Sequence, residues 1–363
     1  METLPRETVD CDVHPGIGAV RELVPYMDDY WAELVTVRGL DRAQLNLNTY
    51  PPAAPITARP DWRPEGGRPA ASAEAVARDL LDPFGIDCAI LNPLHGVSVL
   101  HSGDLAGVLC TALNEHVARH WLDRDARLRA SIVVPLEDPE LAAEEIARRA
   151  GDPRFVQVLL LAGLTAPLGK KRHWPIFAAA ERHGLPVGVH AGSACRYPTA
   201  PIGWGSHLLE DYVNAASLFE SQLVSLIGEG VFAKFPALKV VFIESGFMWV
   251  PPALWRMNKT WRGVRAEVPW IKENPADIVR RHVRFTLQPV DAPPTAAQFE
   301  AVLEQLGSDE VLLFSTDHPH WQFDGMAAVP AGLSPELLRK IAVDNPRATY
   351  GRLNLPAGQE VSA

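Results

Sequence analysis

The chain has 363 residues, 47% of them hydrophobic and 21% charged, with a formal net charge of −10. That apolar content supports a large core, and the length suits one barrel better than one open domain. The acidic balance, with no cluster of Lys or Arg, excludes a phosphate-binding surface and with it a nucleic-acid partner.

The chain opens METLPRETVD, with no apolar run of signal-peptide type. The cysteines Cys11, Cys88, Cys110 and Cys195 are scattered and form no CxxC pair, which predicts reduced thiols and a cytoplasmic location. Apolar residues then recur in eight short β-rich runs: Val9–His14, Cys88–Leu94, Leu128–Pro135, Phe155–Leu161, Leu185–Gly192, Leu238–Gly246, Val283–Val290 and Val311–Asp317. Most lack strict alternation, as expected of strands whose outer face is covered by helices. The longest apolar run, 155–168, is broken by Gln157 and is too short to span a bilayer, so no membrane partner is expected.

Segments of helical spacing lie between the runs. Asp138-Pro139-Glu140 opens PELAAEEIARRA with an acidic first turn, and Gly151 stops it. Lys170–His183 ends at Gly184, Asp211–Glu229 at Gly230, and Thr295–Leu306 at Gly307. His116, His120, His173 and His183 fall on helical segments and are expected at the surface. Eight β/α units in this length predict a single α/β domain over 1–363, a (β/α)8 TIM barrel. A doubly wound open sheet is the competitor, but DCDVHPGIG is a poor match to its Gly-rich phosphate loop. Residues 15–81 exceed an ordinary connection. They hold the helical-looking YMDDYWAELV and a Pro/Gly-rich stretch, and are read as an insertion capping the barrel mouth, with an arm to a second subunit as the alternative.

In such barrels chemistry sits at the C-terminal ends of the strands. Alternation along VDCDVH puts Asp10, Asp12 and His14 on one face, with Asp12 and His14 roughly 7 Å apart at the backbone. The fifth run ends GVHAGS, with Gly188 leaving room beside His190; the sixth ends FIESG at Glu244; the eighth ends at Asp317. Carboxylates converging in a low-dielectric cup repel one another unless a cation sits among them. Two imidazoles and two carboxylates suit Zn²⁺, with Mn²⁺ or Fe²⁺ as alternatives, and a catalytic ion needs an open position. Asp12, His14, His190 and Asp317 are therefore the candidate metal ligands. Asp10 is read as deeper and bonded to backbone or to an arginine. Glu244 is open between a further ligand, a general acid or base, and the partner of an arginine such as Arg256.

The motifs DCDVHP, LPVGVHAGS, GVFAKFPALKVVFIESGFMWVPPALWRM and LLFSTDHPHW resemble the amidohydrolase superfamily over nearly the whole chain, in the branch of amino-carboxymuconate-semialdehyde decarboxylase and the resorcylate-type decarboxylases. That resemblance implies a barrel with one catalytic divalent metal, held by an H/D/E-x-H pair on strand one, a His on strand five and an Asp on strand eight. These fall on Asp12, His14, His190 and Asp317. Two positions depart from the pattern: Asp12 stands for the commoner histidine, and Glu244 for a strand-six histidine of the decarboxylases.

The expected activity is metal-assisted hydrolysis of a small organic substrate, with Asp317 accepting the proton of the attacking water, Glu244 a second acid and His190 beside the reacting atoms. The alternative is non-oxidative decarboxylation of an aromatic or unsaturated carboxylic acid. A third reading is a barrel that binds metal or small molecules without turnover. His95, Arg196, His320, Trp321 and Trp204 are the candidate substrate contacts. A homodimer is expected, through the Pro-rich insertion and the Trp-rich FMWVPPALWRMNKTWRG.

Overall fold

The computed structural model describes residues 4–45, 57–192, 197–200, 202–321, 323, 329 and 333–354. Eight parallel strands, β1 (Val9–Val13), β2 (Cys88–Leu91), β3 (Leu128–Val133), β4 (Phe155–Leu161), β5 (Val187–His190), β6 (Val240–Ile243), β7 (Val283–Thr286) and β8 (Leu312–Leu313), pair in chain order. The ring closes where the β8 segment meets β1. Cys11 N–H donates to Phe314 O at 3.0 Å, Asp317 N–H to Asp12 O at 3.1 Å and His14 N–H to His318 O at 2.7 Å. Helices separate the strands, giving the (β/α)8 barrel that the alternation predicts.

Nearly every strand residue is buried, as a sheet wrapped by helices requires. The helices begin and end where local chemistry dictates. Asp138 caps Pro139–Arg149 by accepting from Leu141 N–H at 3.1 Å, and Arg148 and Arg149 occupy the last turn. Thr295 caps Ala296–Leu306, which stops at Gly307 in the left-handed region with φ 67°. The expected helix 170–183 is a 3-10 turn, Lys171–His173, followed by Trp174–Arg182. The expected Asp211–Glu229 begins earlier, at Leu208, because His207 and Glu210 form a capping box.

Most strands are shorter than the sequence suggests, and the ligand-type residues His14, Glu244 and Asp317 fall just beyond them. After Leu313 the chain leaves the ladder: Phe314 N–H turns to Ile341 O, and Thr316 N–H to the Asp10 carboxylate at 3.0 Å. On the other side Phe314 O and Asp317 N–H still pair with β1, so the segment closes the ring beyond the last residue of β8. No helix among the described residues is long and apolar enough to cross a membrane.

Two surface expectations fail. His173 is 1% exposed and His116 8% exposed, so both helical histidines face the core. Burial holds each imidazole neutral by pushing its pKa down to about 4. The Trp-rich stretch 247–263 is mixed: Phe247, Val250 and Leu254 are buried, while Trp255 is exposed. Within 15–81, Arg59 N–H donates to Pro319 O at 2.8 Å and Trp62 packs on His318 with ring centroids 4.4 Å apart.

Candidate metal centre

Strand alternation delivers the first pair of ligands. Asp12 and His14 point from the end of β1 to the barrel axis, and both are buried. His190, the last residue of β5, arrives from the far side with 0% exposure. Asp317 completes the set from the turn after β8. One ligand atom from each of Asp12, His14, His190 and Asp317 lies within 4.8 Å of the others, a buried group able to hold a single divalent cation.

Both imidazoles are locked in the same sense. His14 Nδ1 donates to Asn92 O at 2.9 Å, and His190 Nδ1 to Ala191 O at 2.8 Å. Each Nε2 is thereby turned inward, where it would present its lone pair to a bound metal. His14 Nε2 stands 2.9 Å from Asp317 Oδ1 and 3.4 Å from Asp12 Oδ1, and His190 Nε2 stands 3.5 Å from Asp12 Oδ1.

Among the described residues, Asp12 Oδ2, His190 Nε2 and Asp317 Oδ2 are buried without a hydrogen-bond partner. Buried acceptors facing one another without a donor are costly, several kcal/mol in order of magnitude, unless a cation lies between them. The local field points the same way. Burial opposes a proton on His14, yet the Asp12 charge and the Asp317 hydrogen bond outweigh it and push the imidazole up to about 10. Burial alone would raise Asp317, but the His320 charge and hydrogen bonds from His14 and His320 hold it well below the usual carboxylate range. A pocket that draws protons this strongly suits a divalent ion.

Glu244 follows β6 beside this group. Its Oε2 is 3.7 Å from His190 Nδ1, and its backbone N–H donates to Thr286 Oγ1 at 3.0 Å. Burial, reinforced by the Asp317 charge, pushes its carboxyl up to about 7. No arginine pairs with it among the described residues; its ion-pair partner is His190. His320 Nδ1 lies 2.8 Å from Asp317 Oδ1 and its ring stacks on His14, centroids 4.6 Å apart. Glu244, Asp317 and His320 also present ligand-type atoms within 4.8 Å of one another.

The other sequence-derived candidates stand as follows. His95 is buried and accepts from Val97 N–H at 3.4 Å, capping a 3-10 turn, and burial lowers its pKa to about 4. Trp204 is 61% and Trp321 48% exposed. Arg196 lies outside the described residues. Asp10 sits deeper, as expected, and bonds backbone rather than an arginine: Oδ1 accepts from Asp12 N–H at 3.1 Å and Oδ2 from Thr316 Oγ1 at 2.5 Å.

Sequence reading missed the polar residues inside the barrel. Asn92 Nδ2 donates to Asp12 Oδ1 at 2.8 Å, and Ser131, Gln157 and Tyr350 lie behind it in hydrogen-bond contact. The signal was present: Gln157 interrupts an apolar run, and Asn92 closes one. The room left by Gly188 is filled by Gln157, whose amide carbon would lie 2.5 Å from a Cβ at that position.

The amidohydrolase family model matches residues 9–352. A gamma-resorcylate decarboxylase of Polaromonas sp. JS666 is 24% identical over 262 residues, covering 68% of this chain and 77% of the relative. Among solved structures, an amidohydrolase from Mycobacterium avium subsp. paratuberculosis K-10 superposes with a TM-score of 0.73 at 22% identity, over 98% of this chain and all of that one. A dihydroxybenzoic acid decarboxylase from Polaromonas sp. JS666, with bound manganese and the inhibitor 2-nitroresorcinol, gives 0.63 at 19% identity over 97% and 98% of the two chains.

Proposed function

The chain belongs to the amidohydrolase family, and from that premise we propose that it is a metal-dependent, non-oxidative decarboxylase of a small aromatic carboxylic acid. The observation that carries this reading is the pairing of relatives named as decarboxylases with a largely buried carboxyl, Glu244, whose pKa is raised to about 7 beside the ligand group. This reverses the order expected from sequence, where hydrolysis stood first. An enzyme of this family, hydrolase or carboxy-lyase, leaves no place for the non-catalytic barrel.

Asp12, His14, His190 and Asp317 would hold one divalent ion, Mn²⁺ or Zn²⁺, through two nitrogens and two oxygens. When bound, that ion supplies Lewis-acid stabilisation of negative charge on the substrate oxygens. Glu244 is the proton donor. Its raised pKa lets it give a proton to the ring carbon that bears the carboxylate. The bond to the carboxylate then breaks, its electron pair returns to the ring, and carbon dioxide leaves. Glu244 is reprotonated from solvent. Asp317, held at low pKa, remains an anion throughout, and His320 keeps its carboxylate oriented.

The described residues of the insertion, 15–45 and 57–81, act as a cap over the barrel mouth. The contacts of Arg59 with Pro319 and of Trp62 with His318 support that placement. His95, Arg196, His320, Trp321 and Trp204 remain the proposed substrate contacts. The homodimer also stands as a proposal, with exposed Leu209, Val213 and Trp255 as apolar surface that a second copy would cover.

One observation favours hydrolysis of a neutral substrate. Among the described residues, every ion-pair partner of Asp12, Asp317 and Glu244 is a histidine, so no Lys or Arg there offsets a substrate carboxylate. The deciding experiment loads the protein with Mn²⁺ or Zn²⁺ and offers hydroxybenzoates beside esters, amides and lactones. Carbon dioxide release from a hydroxybenzoate is expected. Ester, amide or lactone cleavage with no decarboxylation would overturn the reading.

A further inference from the structure

Asp12 and His14 are contacted from behind by a single residue. Asn92, just past the end of β2, donates its side-chain amide to Asp12 Oδ1 at 2.8 Å, and its backbone carbonyl accepts from His14 Nδ1 at 2.9 Å. Its own backbone N–H is tied to Val13 O at 2.7 Å. One residue thus fixes the carboxylate of the first ligand and the tautomer of the second.

The amide of Asn92 is itself oriented, and the Asp12 carboxylate and Cys11 carbonyl, which only accept, set the direction of the bonds behind it. Tyr350 donates its hydroxyl to Gln157 Oε1 at 3.0 Å. Gln157 donates its amide to Ser131 Oγ at 2.8 Å, and Ser131 donates to Asn92 Oδ1 at 2.6 Å. With Oδ1 committed as acceptor, Nδ2 must face Asp12 and Cys11 O. Tyr350, Gln157, Ser131 and Asn92 are all buried, and burial holds the Tyr350 phenol well above its ordinary pKa, so it stays protonated and able to donate. Bonds aligned head to tail polarise one another, and a low-dielectric interior strengthens each. Gly188 makes the arrangement sterically possible, because any Cβ there would collide with the Gln157 amide.

We infer that Asn92 is a positioning residue for the metal centre, and that the chain Tyr350–Gln157–Ser131 running through the barrel interior sets its orientation. A tyrosine from the segment after β8 thereby tunes ligands on β1, without approaching substrate. The inference rests on the reading of Asp12, His14, His190 and Asp317 as a metal site. It predicts losses of metal affinity typical of groups that orient ligands, roughly 10–100-fold.

The test measures Co²⁺ affinity and the visible Co²⁺ spectrum of wild type, Asn92→Leu, Ser131→Ala and Tyr350→Phe, with the melting temperature of each metal-free protein as a control. Asn92→Leu is expected to weaken Co²⁺ by about 10–100-fold and shift its bands, with Ser131→Ala and Tyr350→Phe smaller in the same direction. A purely structural role would lower the melting temperature and leave the spectrum unmoved. If Asn92→Leu does not fold, Ser131→Ala and Tyr350→Phe decide. Folded variants that bind Co²⁺ within twofold of wild type, with unchanged bands, overturn the inference. A wild type that binds no Co²⁺ instead overturns the metal reading on which it stands.

Discussion

Glu244 and Asp317, at the ends of β6 and β8, share a backbone feature: both sit in the left-handed region, with φ of 56° and 59°. For residues that are not glycine this conformation costs on the order of 1–2 kcal/mol. Here it turns each carboxyl off its strand and toward the ligand group. Relief of that strain is therefore expected to stabilise the fold and abolish the chemistry.

Glu244→Gly is the variant that separates the two. Strain relief and loss of a buried carboxyl outweigh the added freedom of the unfolded chain, and a net gain of about 1 kcal/mol is expected. Urea unfolding of the metal-free proteins reads the gain, and an activity assay reads the loss. A destabilised Glu244→Gly would show that the side chain contributes to folding.

Glu244→Gln tests the proton donor without changing shape. Turnover is expected to fall by about 10²–10⁴-fold, the usual contribution of a general acid, while bound metal stays at the wild-type level. Loss of metal in this variant would make Glu244 a ligand instead. Turnover within a few-fold of wild type would remove it from the chemistry.

The pH dependence of stability has a component far from the centre. His173 is buried, its neutral form is favoured, and its pKa is pushed down to about 4. Below its unfolded value near 6.5, the unfolded chain takes up a proton that the folded chain refuses, so stability falls as pH drops from about 6.5 toward 4. The loss approaches roughly 3 kcal/mol for the full shift. His173→Leu should flatten that part of the profile in urea melts at pH 7.5 and 5. An unchanged slope would show that His173 is protonated in the folded protein.

Much of the site was legible because its chemistry is written at strand ends. The change from apolar run to Asp or His in VDCDVH, VGVH and FSTDH marks where a strand leaves the barrel, and alternation says which side chains face inward. Glu244 was legible as a position, with its role left open between ligand, acid or base, and partner of an arginine. Its raised pKa comes from burial and the Asp317 charge, neither of which spacing encodes. Asn92 reaches Asp12 through pairing of β1 with β2, and Tyr350 reaches Gln157 from almost two hundred residues away, contacts that spacing alone does not encode. His116 and His173 misled because a polar residue on a helix reads as solvent-facing, whereas these two lie on the face packed against the core.

The central claim is that Asp12, His14, His190 and Asp317 together hold a divalent cation. Metal content by elemental analysis, on wild type and on His190→Ala and Asp317→Asn variants that remain folded, tests it most directly. About one equivalent of divalent metal per wild-type chain is expected, with most of it lost in His190→Ala and a marked reduction in Asp317→Asn. Metal-free wild type that does not take up Mn²⁺ or Zn²⁺, or full retention of metal in His190→Ala, would contradict it.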